Sequence, residues 1–302
     1  MTVKGLRITV QDNWYTLRHK RNRRNRAISK GMLYIVATPI GNLEDITLRA
    51  VRTLKEADLV AAEDTRHSLK LLNHLGIKKP MVSYWGEKEK VKAEEAMKRL
   101  RAGQTVALVS DAGTPGISDP GAVLVRMALE EGIDVVPIPG PSAFVAALSV
   151  SGLSTEEFTF IGFLPSKIGA RQRKLGELEL DERTLVFYES PHRVIDTLID
   201  MEKVFGKDRK AALFKEITKM HETAYRGSLS EILDALEEAN LSGEYVVIVG
   251  GHERSGEISM DEALEEVLKL MKKGLGRKEA TKTVADQYGI KKRDLYEGSL
   301  EK

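Results

Sequence analysis

Three clusters rich in glycine and proline, each following a short apolar run, mark where this chain has room for chemistry. They are Thr38-Pro39-Ile40-Gly41-Asn42, the stretch Ser110 to Gly121, and Pro137-Ile138-Pro139-Gly140-Pro141-Ser142-Ala143. A ligand gripped by main-chain groups excludes side chains, and positive φ is cheap only for glycine, so such turns suit a small bound molecule. Each one alone is also what an ordinary tight turn looks like. Two further places set a carboxylate beside a cation, Glu63-Asp64-Thr65-Arg66 and Lys215-Glu216. That pairing serves proton transfer or a plain structural ion pair. No G-x-G-x-x-G follows the first strand, and G-x-x-x-x-G-K-[ST], H-E-x-x-H and G-x-S-x-G are all missing. Dinucleotide oxidoreduction, P-loop phosphoryl transfer, zinc proteolysis and serine hydrolysis lose ground accordingly.

The elements that must position these clusters read as β-branched runs alternating with amphipathic helical stretches from Met32 onward, the pattern of an α/β domain. Strands are expected at Leu33–Ala37, Asp58–Ala62, Met81–Tyr84, Thr105–Val109 and Asp134–Ile138, with helices over 47–57, 69–75, 87–101, 122–131 and 144–150. In an open parallel sheet the carboxyl ends of the strands share one edge, so all three turn clusters converge on one crevice. Ser151-Gly152 reads as a hinge. A second, mixed-sheet α/β domain follows, with strands at 158–163, 185–188, 211–214, 223–226 and 245–249 and helices at 193–204 and 228–239. From about Ser255 the chain turns helical, and Ala285, Gly289 and Leu295 have the spacing of a helix-turn-helix, as they also would in a plain pair of packed helices. The expected domains are therefore a leader over 1–31, α/β domains over 32–150 and 151–254, and a helical unit over 255–302.

The 302 residues carry no cysteine, which removes disulfides, thiolate metal sites and a cysteine nucleophile. No run approaches the ~18 apolar residues of a membrane span and no secretory signal is evident, so a cytoplasmic protein is expected. The net charge of +2 is uneven: residues 1–31 hold +8 and the rest −6. The leader's arginines read either as a disordered extension or as an RNA-binding arm.

Leu33 to Leu43, Ala62-Glu63-Asp64-Thr65-Arg66, the Ser110–Gly121 block and Pro139-Gly140-Pro141-Ser142-Ala143 together resemble the tetrapyrrole-methylase superfamily of class III S-adenosylmethionine-dependent methyltransferases. Gly162-Phe163-Leu164-Pro165, Tyr188-Glu189-Ser190-Pro191-His192-Arg193 and Lys215-Glu216-Ile217-Thr218-Lys219 narrow the resemblance to the branch that acts on a cytidine 2′-oxygen in 16S ribosomal RNA. It spans about residues 32–300.

The resemblance implies an enzyme of two α/β domains with a cofactor cleft between them, working as a homodimer on 16S rRNA or the small ribosomal subunit. It implies S-adenosylmethionine held by Pro39, Ile40, Gly41, Asp111, Ala112, Gly113, Ile117, Ser118, Ser142 and Ala143, with Leu164 closing the pocket. The sulfonium is its own electrophile, so no metal is needed. A base must still reach the 2′-oxygen, and Glu63, Asp64, Lys215 and Glu216 are the expected acceptor-side constellation. Arg66, Lys167, Arg171, Ser190, His192 and Arg193 are expected to face the RNA, Ser190 also capping a helix with Pro191 in its first turn. His221 reads as either catalytic or a core histidine, the latter preferred. Methylation of a tetrapyrrole precursor and non-catalytic nucleic-acid binding are the competing functions.

Overall fold

The computed structural model describes residues 31–84, 89–237, 239–253, 259–272 and 274–301. Apart from Gly31, the basic leader lies outside the described residues, as does the expected start of the helical unit at 255. Two units divide between Pro141 and Ser142.

The first unit is a parallel sheet of β1 (Met32–Val36), β2 (Leu59–Ala62), β3 (Met81–Ser83), β4 (Thr105–Val109) and β5 (Asp134–Ile138), ordered β3-β2-β4-β1-β5. Its helices are α1 (Leu48–Glu56), α2 (Thr65–His74), α3 (Glu89–Arg101) and α4 (Ala122–Glu130). Strands covered on both faces read as unbroken apolar runs, which is why Val-Ala-Leu-Val in β4 and Leu-Val-Ala-Ala in β2 show no alternation. Leu33, Val106 and Leu108 face Ala93, Met97 and Leu100 of α3 and Leu124 and Ala128 of α4. On the other face, Tyr34, Val36, Val60 and Val109 pack with Ala50 and Leu54 of α1 and Leu72 of α2.

The second unit opens with α5 (Ala143–Ser149) and holds a sheet of β6 (Phe158–Phe163), β7 (Thr184–Glu189), β8 (Lys210–Lys215), β9 (Thr223–Ser228) and β10 (Tyr245–Val249), ordered β6-β7-β10-β8-β9. Only β6 and β7 run parallel. With it come α6 (Ile168–Gly176), α7 (Val194–Phe205) and α8 (Leu229–Leu236), then a helical trio of α9 (Met260–Lys272), α10 (Arg277–Tyr288) and α11 (Lys292–Glu301). The sequence reading put the break between units at Ser151-Gly152. In the structure α5 sits in the second unit, where Ala147 and Leu148 pack with Val186, Phe214 and Val246, because those side chains find their apolar partners on that sheet.

Helix starts follow the capping chemistry. Thr47 Oγ1 accepts the Ala50 N–H at 3.1 Å, and Ser228 with Glu231 forms a full capping box on α8. One expected cap is corrected. Ser190 gives no side-chain cap and α7 begins only at Val194, because residues 191–193 form turns and the Ser190 carbonyl takes the Arg193 and Val194 amides instead.

Candidate active site

Because every strand of the first sheet points the same way, the turns leaving β1, β4 and β5 emerge at one edge. The chain leaves β1 for α1 on one face and β4 for α4 on the other, so these neighbouring strand ends part there. Such a switch point opens a crevice. The turns lining it touch. Thr38 N–H donates to the Gly113 carbonyl at 2.8 Å and Gly113 N–H returns to Thr38 at 3.1 Å. Thr38 Oγ1 donates to the Ser110 carbonyl at 3.1 Å, and Thr114 Oγ1 to the Pro141 carbonyl at 3.4 Å.

Two glycines make the approach possible. Gly113 sits at φ +77°, and a Cβ there would lie 3.5 Å from the Ile40 side chain. A Cβ on Gly140 would lie only 2.9 Å from that of Ala37, so the turn after β5 closes on the end of β1 only without a side chain. Pro39, Ile40 and Gly113 are buried beneath the edge, while Gly41, Ala112, Ile117 and Ser118 are exposed on it. Ser118 holds φ +61°, a left-handed conformation that costs a non-glycine residue about 1 kcal/mol or more.

The structure separates the two carboxylates that the sequence left as a pair. Asp64 is the N-cap of α2: its Oδ1 accepts the Arg66 N–H at 2.8 Å, and the Arg66 guanidinium clamps Oδ2 at 2.7 Å. Those hydrogen bonds hold its carboxyl at about 2. Glu63 goes the other way, since burial pushes its carboxyl up, with nearby Asp111 and Asp64 adding to the rise against the Asp111 N–H that it accepts at 3.3 Å. Asp111 in turn accepts the Asp64 N–H at 3.1 Å. The two neighbouring carboxylates thus differ in proton affinity, that of Asp64 lowered and that of Glu63 raised.

In the second unit several expectations change. Glu216 pairs with Lys219 at 2.7 Å rather than with Lys215, whose ammonium donates to the Asn240 carbonyl. Burial alone would raise the Glu216 carboxyl, but the Lys219 and Glu244 N–H hydrogen bonds outweigh it and hold it below its ordinary value. Glu216 and Thr218 both take positive φ, +54° and +67°, so this loop is locked in a costly shape. Arg171 is no RNA-facing cation: its side chain and that of Asp200 are each 4% exposed and meet at 2.7 Å, because α6 turns this face toward α7. Lys167, the N-cap residue of α6, and Arg173 within it remain exposed. Leu164 is buried in the core of the unit, and its carbonyl is already taken by a guanidinium, so nothing here shows it lining a pocket. Ser142 and Ala143 are half-buried at the start of α5. Arg193 donates to the Leu164 carbonyl at 2.8 Å and pairs with Glu189 at 3.2 Å, so it ties the turn after β6 to the end of β7. His192 and His221 are exposed, and His221 is therefore not a core histidine.

Three residues to which the sequence reading gave no role of their own organise these turns. The Tyr84 hydroxyl accepts the Leu124 N–H at 3.1 Å in the first turn of α4, and Tyr188 accepts the Phe144 N–H at 3.3 Å in the first turn of α5. Neither helix has a side-chain bond from its own cap residue, so a distant phenol does that work. Glu189, its side chain 0% exposed, accepts from Ser190 N–H and from Thr197 Oγ1 at 2.7 Å. Its signal was visible, an acid closing an apolar strand; the tyrosines gave none.

The family model of the Tetrapyrrole (Corrin/Porphyrin) Methylases matches residues 32–233. A protein of Synechocystis sp. named Ribosomal RNA small subunit methyltransferase I is 45% identical over 273 residues, covering 90% of this chain and 98% of that protein. One of the same name from Pasteurella multocida is 48% identical, covering 90% and 97%. Among solved structures, uroporphyrin-III-C-methyltransferase from Thermus thermophilus aligns with TM-score 0.52 at 21% identity, over 73% of this chain and 94% of that one. A cobalt precorrin-4 methyltransferase aligns with TM-score 0.55 at 20% identity, over 72% and 94%. These two share the fold.

Proposed function

Since the chain belongs to the tetrapyrrole methylase family, we propose that it transfers a methyl group from S-adenosylmethionine to the ribose 2′-hydroxyl of a cytidine in 16S rRNA of the small ribosomal subunit. The observation that carries this reading is the meeting of the turns at 38–42, 110–121 and 137–141 on one strand edge. Full-length relatives at 45% and 48% identity that bear a ribosomal RNA methyltransferase name support RNA as the acceptor. The tetrapyrrole methyltransferases resemble the chain at only 20–21% identity.

The residues present suit the cofactor. Exposed Gly41 and Ala112 offer backbone and exposed Ile117 an apolar contact, and Glu63 and Asp111 supply negative charge for a sulfonium cation. Ile40 shapes the turns from beneath and Gly140 by closing on Ala37, while Asp64 is engaged by Arg66. Pro39, Gly113, Ser118, Ser142 and Ala143 complete the proposed cofactor set. Bound there, S-adenosylmethionine supplies a methyl group already activated by its positive sulfur.

The chain's own task is alignment and removal of one proton. Glu63 is assigned to hold that proton, because burial raises its proton affinity above that of an ordinary carboxylate. Its Oε2 is engaged by the Asp111 amide, and Oε1 accepts no hydrogen bond from the described residues. Asp64 is too weak a base for this role; it fixes the first turn of α2 and the place of Arg66. Glu216 and Lys215 stay in the proposal as acceptor-side residues, with Lys219 as the cation that sets the charge of Glu216. Lys167, Ser190 and His192 are the accessible or half-accessible candidates for RNA contact. The family reading also carries a homodimer acting in the cytoplasm, which sedimentation velocity checks for assembly.

The test is incubation of the purified protein with small subunits and methyl-labelled S-adenosylmethionine, followed by mapping of ribose methylation in 16S rRNA. Label at a single cytidine 2′-oxygen is expected. Absence of label in the RNA, with label in a porphyrinogen offered instead, would overturn the reading.

A further inference from the structure

We propose that the helical trio α9–α11 is an RNA-docking module that sets Lys278, Lys282, Lys291 and Lys292 against phosphates of a helical segment of the substrate. This rests on RNA being the acceptor and adds a second, non-catalytic site of contact. The family model ends at residue 233, so these helices stand outside what it matches.

The trio has its own core. Ala263, Leu264 and Val267 of α9, Ala280, Val284 and Ala285 of α10 and Leu295 of α11 are all buried together. Gly289, at φ +67°, turns the chain between α10 and α11, and the Ile290 N–H closes the turn on the Ala285 carbonyl at 3.2 Å. Buried small residue, left-handed glycine and buried aliphatic therefore fall where a helix-turn-helix needs them, so the spacing is a real supersecondary unit here.

In that arrangement the early residues of both helices approach a nucleic-acid backbone. Here those places hold cations. Lys278 and Lys282 lie one turn apart near the start of α10, and Lys291 and Lys292 open α11 across the glycine turn. All four are exposed and none makes an ion pair among the described residues, whereas Arg293 is tied to Glu297 at 2.9 Å. Exposed Glu279, Asp286 and Asp294 share these helices, so the cations form two short rows rather than a uniformly basic face.

Residues 32–302 carry −6, so the polyanion is repelled by the chain at large and must be met by local cations. The deep, narrow major groove of A-form RNA does not admit a helix, so the contact is with phosphates and shape, not with base edges. Each lysine–phosphate contact then contributes to the salt dependence of binding.

The experiment converts Lys278, Lys282, Lys291 and Lys292 together to Glu, and separately to Gln, in the full chain. Melting temperature and S-adenosylmethionine affinity serve as controls. Filter binding to protein-free 16S rRNA is measured over a salt series, beside steady-state methylation of small subunits. The expected result is unchanged cofactor affinity, at least about tenfold weaker RNA binding, a log–log salt slope shallower by about 3 to 4, and a raised KM with kcat kept. Since RNA binding needs no turnover, its loss in the variants supports the module even if ribose methylation itself fails in the wild type. Unchanged RNA binding and KM overturn the proposal. So does a raised KM for subunits with unchanged binding to naked RNA, which would mean that the trio meets a ribosomal protein. If the Glu variant alone unfolds, the Gln variant decides.

Discussion

Glu63 and Asp111 are joined across the ends of neighbouring strands: the Asp111 N–H donates to Glu63 Oε2 at 3.3 Å, and Asp111 then accepts the amide of the next residue, Asp64, at 3.1 Å. The bond ties the turn after β4 to the turn after β2. It holds a half-buried carboxylate at the edge where the glycine turns meet.

Replacing Glu63 tests its assignment as base. Burial raises its native value above the 4.5 of an ordinary glutamate, so its contribution to stability is full below that value and is lost as pH climbs through the raised one. Glu63→Gln is therefore expected to melt like wild type near about pH 4 and above it near about pH 8, with turnover reduced by about 10²- to 10⁴-fold. Thermal scans at both pH values and a methylation assay check this. Near-normal turnover would remove Glu63 from the mechanism.

Gly140→Ala is expected to push the turn after β5 off the end of β1, because the added Cβ would meet that of Ala37 at 2.9 Å. Gly113→Ala pays left-handed strain of about 1 kcal/mol. Both variants should bind S-adenosylmethionine at least about tenfold more weakly, an affinity change of about 1.4 kcal/mol. Titration calorimetry reads the change, and affinity kept in both would show that these turns do not hold the cofactor.

Arg171 behaves as a structural residue in this scheme. Removing one partner of a buried ion pair costs about 3–5 kcal/mol, so Arg171→Leu should strongly lower the denaturation midpoint, and the double change with Asp200→Leu should recover much of the loss. Urea melts of the two variants, run beside RNA binding of whatever remains folded, separate this from a phosphate contact. A fully stable Arg171→Leu with weak RNA binding would restore the contact reading.

Lys219 and Lys215 should part company. The Glu216 carboxyl is held below its ordinary 4.5, so its stabilisation is present above that value and fades as pH falls through the lowered one. Lys219→Met is expected to lose about 1 kcal/mol at neutral pH, the usual ceiling for such partly exposed pairs, with the gap to wild type closing in acid. Lys215→Met should change the acid profile much less, since the charge of Lys215 acts on Glu216 more weakly than that of Lys219. Equal profiles would return Lys215 to the role of partner to Glu216.

What could be read from residues alone was whatever depends on short-range pattern. Unbroken apolar runs such as Thr105–Val109, bounded by glycine and proline, coincide with strand β4 residue for residue, and Tyr245–Val249 with β10. A run buried on both faces, or punctuated by residues that cannot continue it, carries its own boundaries. Such a run does not fix direction, since β10 is antiparallel to both neighbours; the convergence of the three turn clusters followed from the alternation of strands with helices in the first unit.

Partnership between distant side chains was decided only by the tertiary structure. Glu63 and Asp64 are neighbours with the same charge, yet opposite proton affinities follow from which amides and guanidinium reach each of them. Lys215 adjoins Glu216 in the chain but points to Asn240, while Lys219 folds back to the carboxylate. Arg171 reads as one more cation in a basic run until α6 lies on α7. Tyr84 and Tyr188 cap helices 40 and 44 residues away in the chain. Charge and burial are properties of an environment, and the environment of a side chain is assembled from segments that no local window contains.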